Sequence, residues 1–155
     1  MTWTGRLDHI HITAAARGAM RPLDEALLVA GKGIEGDRYT LGTGTYSIKP
    51  EPGRQVTLIE AEALEALARD EGIMLAPHEH RRNLTVSGVP LNHLVGRQFR
   101  VGEVLLEGAR LNVPCKYLEL VTGKTVYAPL LNRSGLNCII VEGGTIRPGD
   151  ALIPA

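Results

Sequence analysis

Short runs of hydrophobic residues, separated by turn residues, dominate the chain, and most have the length and composition of β-strands. The strand-like runs are residues 7–13, 26–29, 55–59, 83–86, 98–101, 104–111, 136–141 and 150–153. Segments rich in glycine, proline and charged residues separate them, including predicted turns at 101–103 and 145–150. The pattern therefore predicts a mainly β protein.

Residues 60–71 depart from this pattern, because their apolar side chains follow helical spacing. Leu64 and Leu67 share one face, acidic residues come early, and Gly72 follows directly. These features are typical of a helix with a defined start and end. A shorter helix is predicted over residues 116–121, so we expect one clear α-helix and one or two short ones.

The composition limits the architecture and the class of partner. The 155 residues predict a single domain, residues 1–155, and the 18 glycines and nine prolines favour many turns and a closed antiparallel or mixed β-barrel. Lys plus Arg equals Asp plus Glu at 17 each, and aromatic residues make up 4%. We therefore expect neither nucleic acid nor a membrane as a partner.

Cys115 is the residue with the most evident chemistry. It follows Pro114, which ends the strand 104–111, and it precedes the short predicted helix. The N–H groups of a helix start and the adjacent Lys116 both favour ionised sulfur, the form that acts as a nucleophile or metal ligand. The alternative is a buried cysteine that serves as a small hydrophobic residue.

Cys138 provides the contrast, since it lies inside the uncharged apolar run 136–141. We expect it to be buried in the core. Residues 1–17 lack the basic start and apolar run of a secretory signal. We therefore expect a reduced, cytoplasmic protein with two thiols of unequal reactivity.

A dense polar segment, residues 78–83, directly precedes a predicted strand. Arginine presents a planar fork of N–H donors that matches phosphate or carboxylate. We predict that this segment binds an anion at the mouth of the barrel; the alternative is an ordinary solvated loop. The candidate residues are His80, Arg81, Arg82 and Asn83.

Two further patterns carry weaker signals. The glycines before Asp37 and Arg38 fit neither the P-loop nor the dinucleotide-binding motif. We interpret them as turn residues, with Asp37 and Arg38 either pairing or facing a ligand.

His9 and His11 can share one strand face. No third metal-ligating residue has matching sequence context, which disfavours a histidine metal site.

Several segments together resemble the MOSC domain, found at the C-terminus of molybdenum-cofactor sulfurases and as small stand-alone bacterial proteins. The similar segments are residues 33–39, 53–60, 81–84, 94–97, 114–115 and 142–150. Their order and spacing carry the resemblance. It implies a mainly β, barrel-like fold and a molybdopterin-type cofactor, with the family's cysteine matching Cys115.

The resemblance also implies roles and partners. Cys115 would ligate molybdenum, Arg54, Arg81 and Arg82 would hold the cofactor's phosphate, and Lys116 is a further candidate contact. Some relatives reduce N-hydroxylated small molecules; here this would require an electron-donor protein in trans. The sulfurases add a pyridoxal-phosphate desulfurase module, for which 155 residues leave no room, so we expect no bound pyridoxal phosphate.

Two alternatives remain open. In one, Cys115 carries persulfide sulfur from a cysteine desulfurase to the assembly of a metal–sulfur cluster or cofactor, as proposed for other relatives. In the other, the domain is a non-catalytic binding module and Cys115 is a buried side chain. The first is a sulfur-transfer function and the second is a binding function.

Overall fold

Short strands and three helices make up the described chain in a computed structural model, which describes residues 1–44 and 52–155. The strands are β1 Gly5–Ile12, β2 Arg21–Leu23, β3 Ala26–Val29, β4 Gly33–Ile34, β5 Val56–Glu60, β6 Leu84–Ser87, β7 Gln98–Val101, β8 Val104–Leu111, β9 Leu136–Glu142, β10 Gly144–Ile146 and β11 Ala151–Pro154. The helices are α1 Arg38–Leu41, α2 Ala61–Glu71 and α3 Lys116–Thr122, and single 3-10 turns cover Pro52–Arg54 and Leu91–His93.

Seven of these strands close into a barrel. Their order is β11-β7-β8-β9-β5-β6-β1, and β1 pairs with β11 to complete the ring. Neighbours are antiparallel except β5 and β6, which are parallel because α2 forms the crossover between them. β2 pairs with the end of β1, while β10, β3 and β4 form a small second sheet. The prediction of a mainly β barrel is confirmed.

Large apolar side chains fill the barrel interior. Leu7, Leu58, Phe99 and Leu106 come from four different strands and are fully buried. Removing such side chains from water stabilises the closed form by roughly 25 cal/mol per Å² of apolar surface. Cys138 packs in the same cluster, as expected, and burial raises the pKa of its thiol.

Both predicted helices are present, and they pack together. α2 follows Glu60 and ends at Gly72, whose φ of 67° is the left-handed conformation that glycine adopts readily. α3 extends one residue beyond the predicted 116–121. Leu67 of α2 and Leu118 of α3 belong to a second hydrophobic cluster with Leu130. This cluster anchors α3, and hence its first turn, to the outside of the barrel.

The stretch predicted to be irregular, residues 31–53, contains more structure than its glycines suggest. β4 and α1 lie within it, and β2 was also not anticipated from the hydrophobic pattern. Part of that stretch, residues 45–51, lies outside the described residues. Within the described ranges, no helix has the length and apolar character needed to cross a membrane.

Asn83 connects three strands where it enters β6. It is fully buried, and its side-chain oxygen accepts hydrogen bonds from Thr57 N (3.1 Å) and Thr57 Oγ1 (3.2 Å). Its side-chain nitrogen donates to the carbonyl of His11 (3.2 Å). A buried amide with its partners in place fixes a local arrangement strongly. The backbone directly before β6 is therefore held in register with β1 and β5.

His80 is fully buried three residues earlier. Its Nδ1 accepts from the backbone N–H of Arg82 (2.9 Å), so the neutral ring carries its proton on Nε2, 2.8 Å from Thr85 Oγ1. Burial, reinforced by the nearby Arg82 guanidinium and by His11, lowers the pKa of His80 well below its usual value. The folded structure therefore favours a neutral imidazole at this position.

This preference predicts a loss of stability in mild acid. In the unfolded chain His80 binds a proton as the pH falls through about 6.5, whereas the folded chain excludes it. The unfolded state then binds more protons, so the free energy of unfolding decreases below that pH. Between pH 7 and 5.5 we expect the wild type to lose about 1 kcal/mol more than His80→Asn, which retains an acceptor for Arg82 N–H but cannot titrate.

Urea unfolding curves at a series of pH values measure this difference. His93→Asn is the matched control, because His93 is exposed. Equal pH dependence in the wild type and His80→Asn would show that His80 is not held neutral by the fold.

Candidate functional site

A cavity of about 260 Å³ lies where β8 ends and α3 begins. This volume is just below the usual range for small-molecule sites, about 300–1,000 Å³. Its wall is formed by Arg38, Tyr39, Arg54, Thr57, Arg81, Arg82, Arg110, Asn112, Val113, Pro114, Cys115, Tyr117, Leu118 and Asn137. Segments far apart in sequence therefore meet around one small space.

The cavity wall is rich in arginine. None of the described lining residues is Asp or Glu. Five of them are arginines: Arg38, Arg54, Arg81, Arg82 and Arg110. The chain as a whole has equal numbers of basic and acidic residues, so the positive charge is local. A concave wall of one sign concentrates ligands of the opposite sign. The arrangement favours a small anionic ligand.

Arg38 is held in place by the residue before it. Asp37 is fully buried, and its Oδ1 lies 3.2 Å from Arg38 Nη1. Arg38 Nη2 also donates to the carbonyl of Arg81 (3.0 Å) and to the hydroxyl of Tyr39 (3.3 Å). Asp37 caps α1 by accepting from Tyr39 N. The pairing of Arg38 with Asp37 that the sequence offered as one alternative is present, and Arg38 also lines the cavity. A contact between Arg38 and a ligand remains a prediction.

Arg82 connects two loops beneath the cavity. Its Nε donates to the carbonyl of Ser134 (3.0 Å), Nη2 to Ser134 Oγ (2.6 Å) and Nη1 to the carbonyl of His80 (2.8 Å). The side chain is buried, so each of these bonds forms in a medium where an unmet donor is costly. Arg82 thus supports the wall as well as contributing charge to it.

Arg81 adopts a left-handed backbone conformation, with φ of 69°, which is uncommon for residues other than glycine. Its guanidinium donates to the carbonyl of Gly18 through Nη1 and to the hydroxyl of Tyr117 through Nη2 (3.4 Å). Its buried Nε has no acceptor among the described residues. Burial, then the charge of Arg38, lowers the pKa of Arg81. Such a donor suits a ligand that brings an acceptor.

Cys115 lies in the wall of this cavity and is partly exposed. It is the N-cap residue of α3, with extended backbone at φ of −138°, which confirms its predicted place at a helix start. The adjacent Lys116 lies outside the wall, and its Nζ pairs with Glu119 Oε1 at 3.2 Å. The cations that share the cavity with the sulfur are therefore the arginines.

The structure brings only some of the predicted site residues to the cavity. Cys115, Arg38, Arg54, Arg81 and Arg82 line it. Four others lie outside its wall, where they are buried or paired as described above: Asp37, His80, Asn83 and Lys116. Their assignment as ligand contacts remains a prediction.

Several lining residues were not predicted from the sequence. Arg110 on β8 and Asn137 on β9 are register partners at the cavity edge. Asn137 is 3% exposed inside the apolar run 136–141, and a buried polar residue in such a run was a usable signal. Arg110 and Tyr117 carry no comparable local signal, since their positions depend on how the barrel closes.

No multi-residue metal site forms in the described ranges. There, no three or more His, Cys, Asp or Glu side chains cluster as metal ligands. His9 and His11 have ring centroids 6.2 Å apart, with His11 buried and His9 exposed. A metal at Cys115 would therefore need to arrive with ligands of its own.

Comparisons with known proteins agree with this architecture. The structure is similar to the YuaD protein of Bacillus subtilis, with a TM-score of 0.80, 20% identity, and coverage of 97% of this chain and 96% of that one. It is also similar to YiiM from Geobacillus stearothermophilus (TM-score 0.76, 12% identity, 97% and 75% coverage) and YiiM from Escherichia coli (0.70, 20%, 100% and 70%). At these identities the likeness concerns the fold. No functionally curated protein matches the chain.

The family assignment rests on sequence. The family model described as "MOSC domain" matches residues 26–153, which contain the described cavity wall and the barrel strands except β1 and the last residue of β11. The segments that carried the resemblance extend over most of the chain, and those at 33–39, 53–60, 81–84 and 114–115 contribute residues to the cavity wall. This chain belongs to the MOSC domain family.

Proposed function

We propose that this MOSC protein binds a molybdopterin-type molybdenum cofactor in the arginine-lined cavity, with Cys115 as the thiolate ligand of the metal. The observation that carries the proposal is that one partly exposed cysteine and five arginines line a single small cavity. A thiolate is a soft ligand suited to such metals, and guanidinium groups suit a phosphate. One cavity thus offers partners for both ends of the cofactor.

The residues present fit this group. The buried Nε of Arg81 has no acceptor among the described residues, and a phosphate oxygen would supply one. The described wall contains no carboxylate that would repel an anion. Asn112 and Asn137 add amide groups of the kind that bind polar ring edges.

The proposed reaction is the reduction of a small N-hydroxylated base or amine. The N–O bond breaks, two electrons come from an electron-donor protein, and two protons complete the amine and water. When bound, the cofactor supplies the oxygen-atom and electron-transfer chemistry. The chain's own part is to hold the sulfur of Cys115 at the wall and to neutralise negative charge with Arg38, Arg54 and Arg81.

A sulfur-carrier function uses the same thiol. Cys115 would accept a sulfane sulfur from a cysteine desulfurase and pass it on. The arginines favour the cofactor-binding function, because a persulfide alone does not require five cations around the cavity. The metal experiment below separates these two functions.

Thiol labelling tests whether Cys115 is accessible at all. In the folded protein Cys115 should react with iodoacetamide more than about a hundredfold faster than Cys138, which reacts only through opening of the barrel. Peptide mapping by mass spectrometry assigns the label, and urea-unfolded protein serves as the control in which the two rates converge. Similar rates in the folded state would favour the non-catalytic binding module.

Metal content tests the proposed cofactor. Protein expressed in a host that synthesises the cofactor should purify with close to one molybdenum per chain, and Cys115→Ser should lose most of it. Cys138→Ala is the matched control and should retain molybdenum. Elemental analysis and intact mass measured on the same sample give the answer. A metal-free wild type that carries one extra sulfur atom on Cys115 would replace the proposal with the sulfur carrier.

Substitution of a partly buried arginine tests whether the arginines of the cavity wall bind the cofactor. Arg54→Gln should weaken cofactor retention by at least about tenfold, since a hydrogen bond to a charged group contributes about 1.5–3 kcal/mol. The melting temperature should change little, because Arg54 is only partly buried. Dialysis followed by molybdenum analysis measures retention, and the exposed Arg97→Gln serves as the control.

The double replacement of Arg81 and Arg82 should behave differently. Both side chains are buried, and Arg82 holds Ser134 and His80 through three hydrogen bonds. We therefore expect this variant to lose thermal stability together with the cofactor.

Unchanged cofactor retention in Arg54→Gln would contradict a role for the arginines of the cavity wall in binding.

A further inference from the structure

Tyr117 is a lining residue that connects α3 with two loops. It lies in the first turn of α3, two residues after Cys115. Its hydroxyl oxygen accepts from the backbone N–H of Arg17 (2.9 Å) and from Arg81 Nη2 (3.4 Å). The guanidinium carbons of Arg17 and Arg81 each lie 5.9 Å from the centre of its ring. One phenol thus contacts two cationic residues from different loops.

The first of these loops, which we call the strap, is residues 14–18 between β1 and β2. Its residues are mostly exposed, and Arg17 adopts a left-handed backbone with φ of 58°. Hydrogen bonds to three residues outside its own turn hold the strap. Thr43 bonds the backbone of Ala14 and Ala16. The Tyr117 hydroxyl accepts from Arg17 N–H, and the Arg81 guanidinium donates to the carbonyl of Gly18. Two of its anchors are therefore side chains of the cavity wall.

We propose that Tyr117 is a positioning residue for anion recognition: it fixes the guanidinium of Arg81 for a ligand oxyanion and fastens the strap beside the cavity. This inference shares one premise with the proposed function, namely that an anionic group binds in this cavity. The ligand class is a phosphate-type oxyanion, whose oxygens match a planar guanidinium.

The physical argument concerns the freedom of Arg81. A guanidinium with both terminal nitrogens hydrogen-bonded, one to Gly18 O and one to Tyr117 Oη, has little rotational freedom. Its other N–H groups, namely the Nε–H and the second N–H of each terminal nitrogen, then keep fixed directions toward a ligand at low entropic cost, the gain that preorganisation provides. Without the phenol hydroxyl, Arg81 loses one of these two fixed points, and the Arg17 N–H loses its acceptor.

Inorganic pyrophosphate is the probe for the first measurement. Isothermal titration calorimetry on the metal-free full chain compares the wild type with Tyr117→Phe, which keeps the ring and removes the hydroxyl. We expect the Kd for pyrophosphate to rise about three- to tenfold, the value of one hydrogen bond. Tyr127→Phe is the matched control, because Tyr127 lies outside the described wall under Lys116, and its Kd should remain unchanged.

Limited trypsin digestion is the second measurement. Cleavage after Arg17 should be faster in Tyr117→Phe than in the wild type, whereas cleavage after the exposed Arg97 should not change. A general loss of stability would accelerate both cleavages alike and would contradict a specific role.

A double-mutant cycle separates positioning from a merely structural role. Because Tyr117 is proposed to act through Arg81, adding Tyr117→Phe to Arg81→Lys should raise the Kd little further. Additive effects would show that the two residues act independently. If Arg81→Lys does not fold, the calorimetry and the cleavage ratio still decide the question.

The outcome can be separated from that of the proposed function. A wild type that lacks molybdenum but binds pyrophosphate through Tyr117 would overturn the proposed function and support this inference. A wild type that retains molybdenum, with the same pyrophosphate Kd in Tyr117→Phe, would overturn this inference alone. Failure of the wild type to bind pyrophosphate would also overturn it.

Discussion

The hydrogen bonding of buried arginines is the constraint around which this end of the barrel is organised. A charged side chain removed from water is stable only when partners replace the lost solvent. Arg38 has the carboxylate of Asp37, and Arg82 has the carbonyl and hydroxyl of Ser134. Arg38 also donates to the carbonyl of Arg81, so Arg38 and Arg82 each join two loops. Satisfying the arginines therefore also fixes the positions of the loops that form the cavity wall.

The parallel pairing of β5 and β6 makes this arrangement possible. The crossover through α2 returns the chain to the barrel along the segment that contains His80, Arg81 and Arg82. Asn83 then fastens the entry to β6 against its neighbours, while the left-handed backbone at Arg81 lets consecutive residues leave the chain in different directions. Arg82 reaches Ser134 and Arg81 reaches the strap, so one short segment serves two sides of the cavity.

The hydrophobic pattern predicted the barrel, α2 and the first turn of α3, because strand alternation and helix end signals are local properties. The same local logic identified Cys115 and the arginine cluster. Arg110, Asn137 and Tyr117 were missed, since their presence in the wall depends on strand register and loop packing between distant segments. His80 was assigned to the site from its neighbours, whereas its burial and its bonds to Arg82 and Thr85 are tertiary facts.

The two cysteines show how strongly position within one fold decides chemistry. Cys138 lies in a strand of the apolar interior, where burial raises the pKa of its thiol and prevents access. Cys115 lies where a strand has ended and a helix has not yet begun, so its sulfur borders the cavity instead of the core. Three arginines of the wall are held by other parts of the chain. Arg38 and Arg82 are held by the partners named above, and Arg81 is held by the hydroxyl of Tyr117 and by Gly18 of the strap. Hydrogen bonds to neighbouring loops thus hold all three guanidinium groups, so the positive charge near Cys115 is fixed in position by the fold itself.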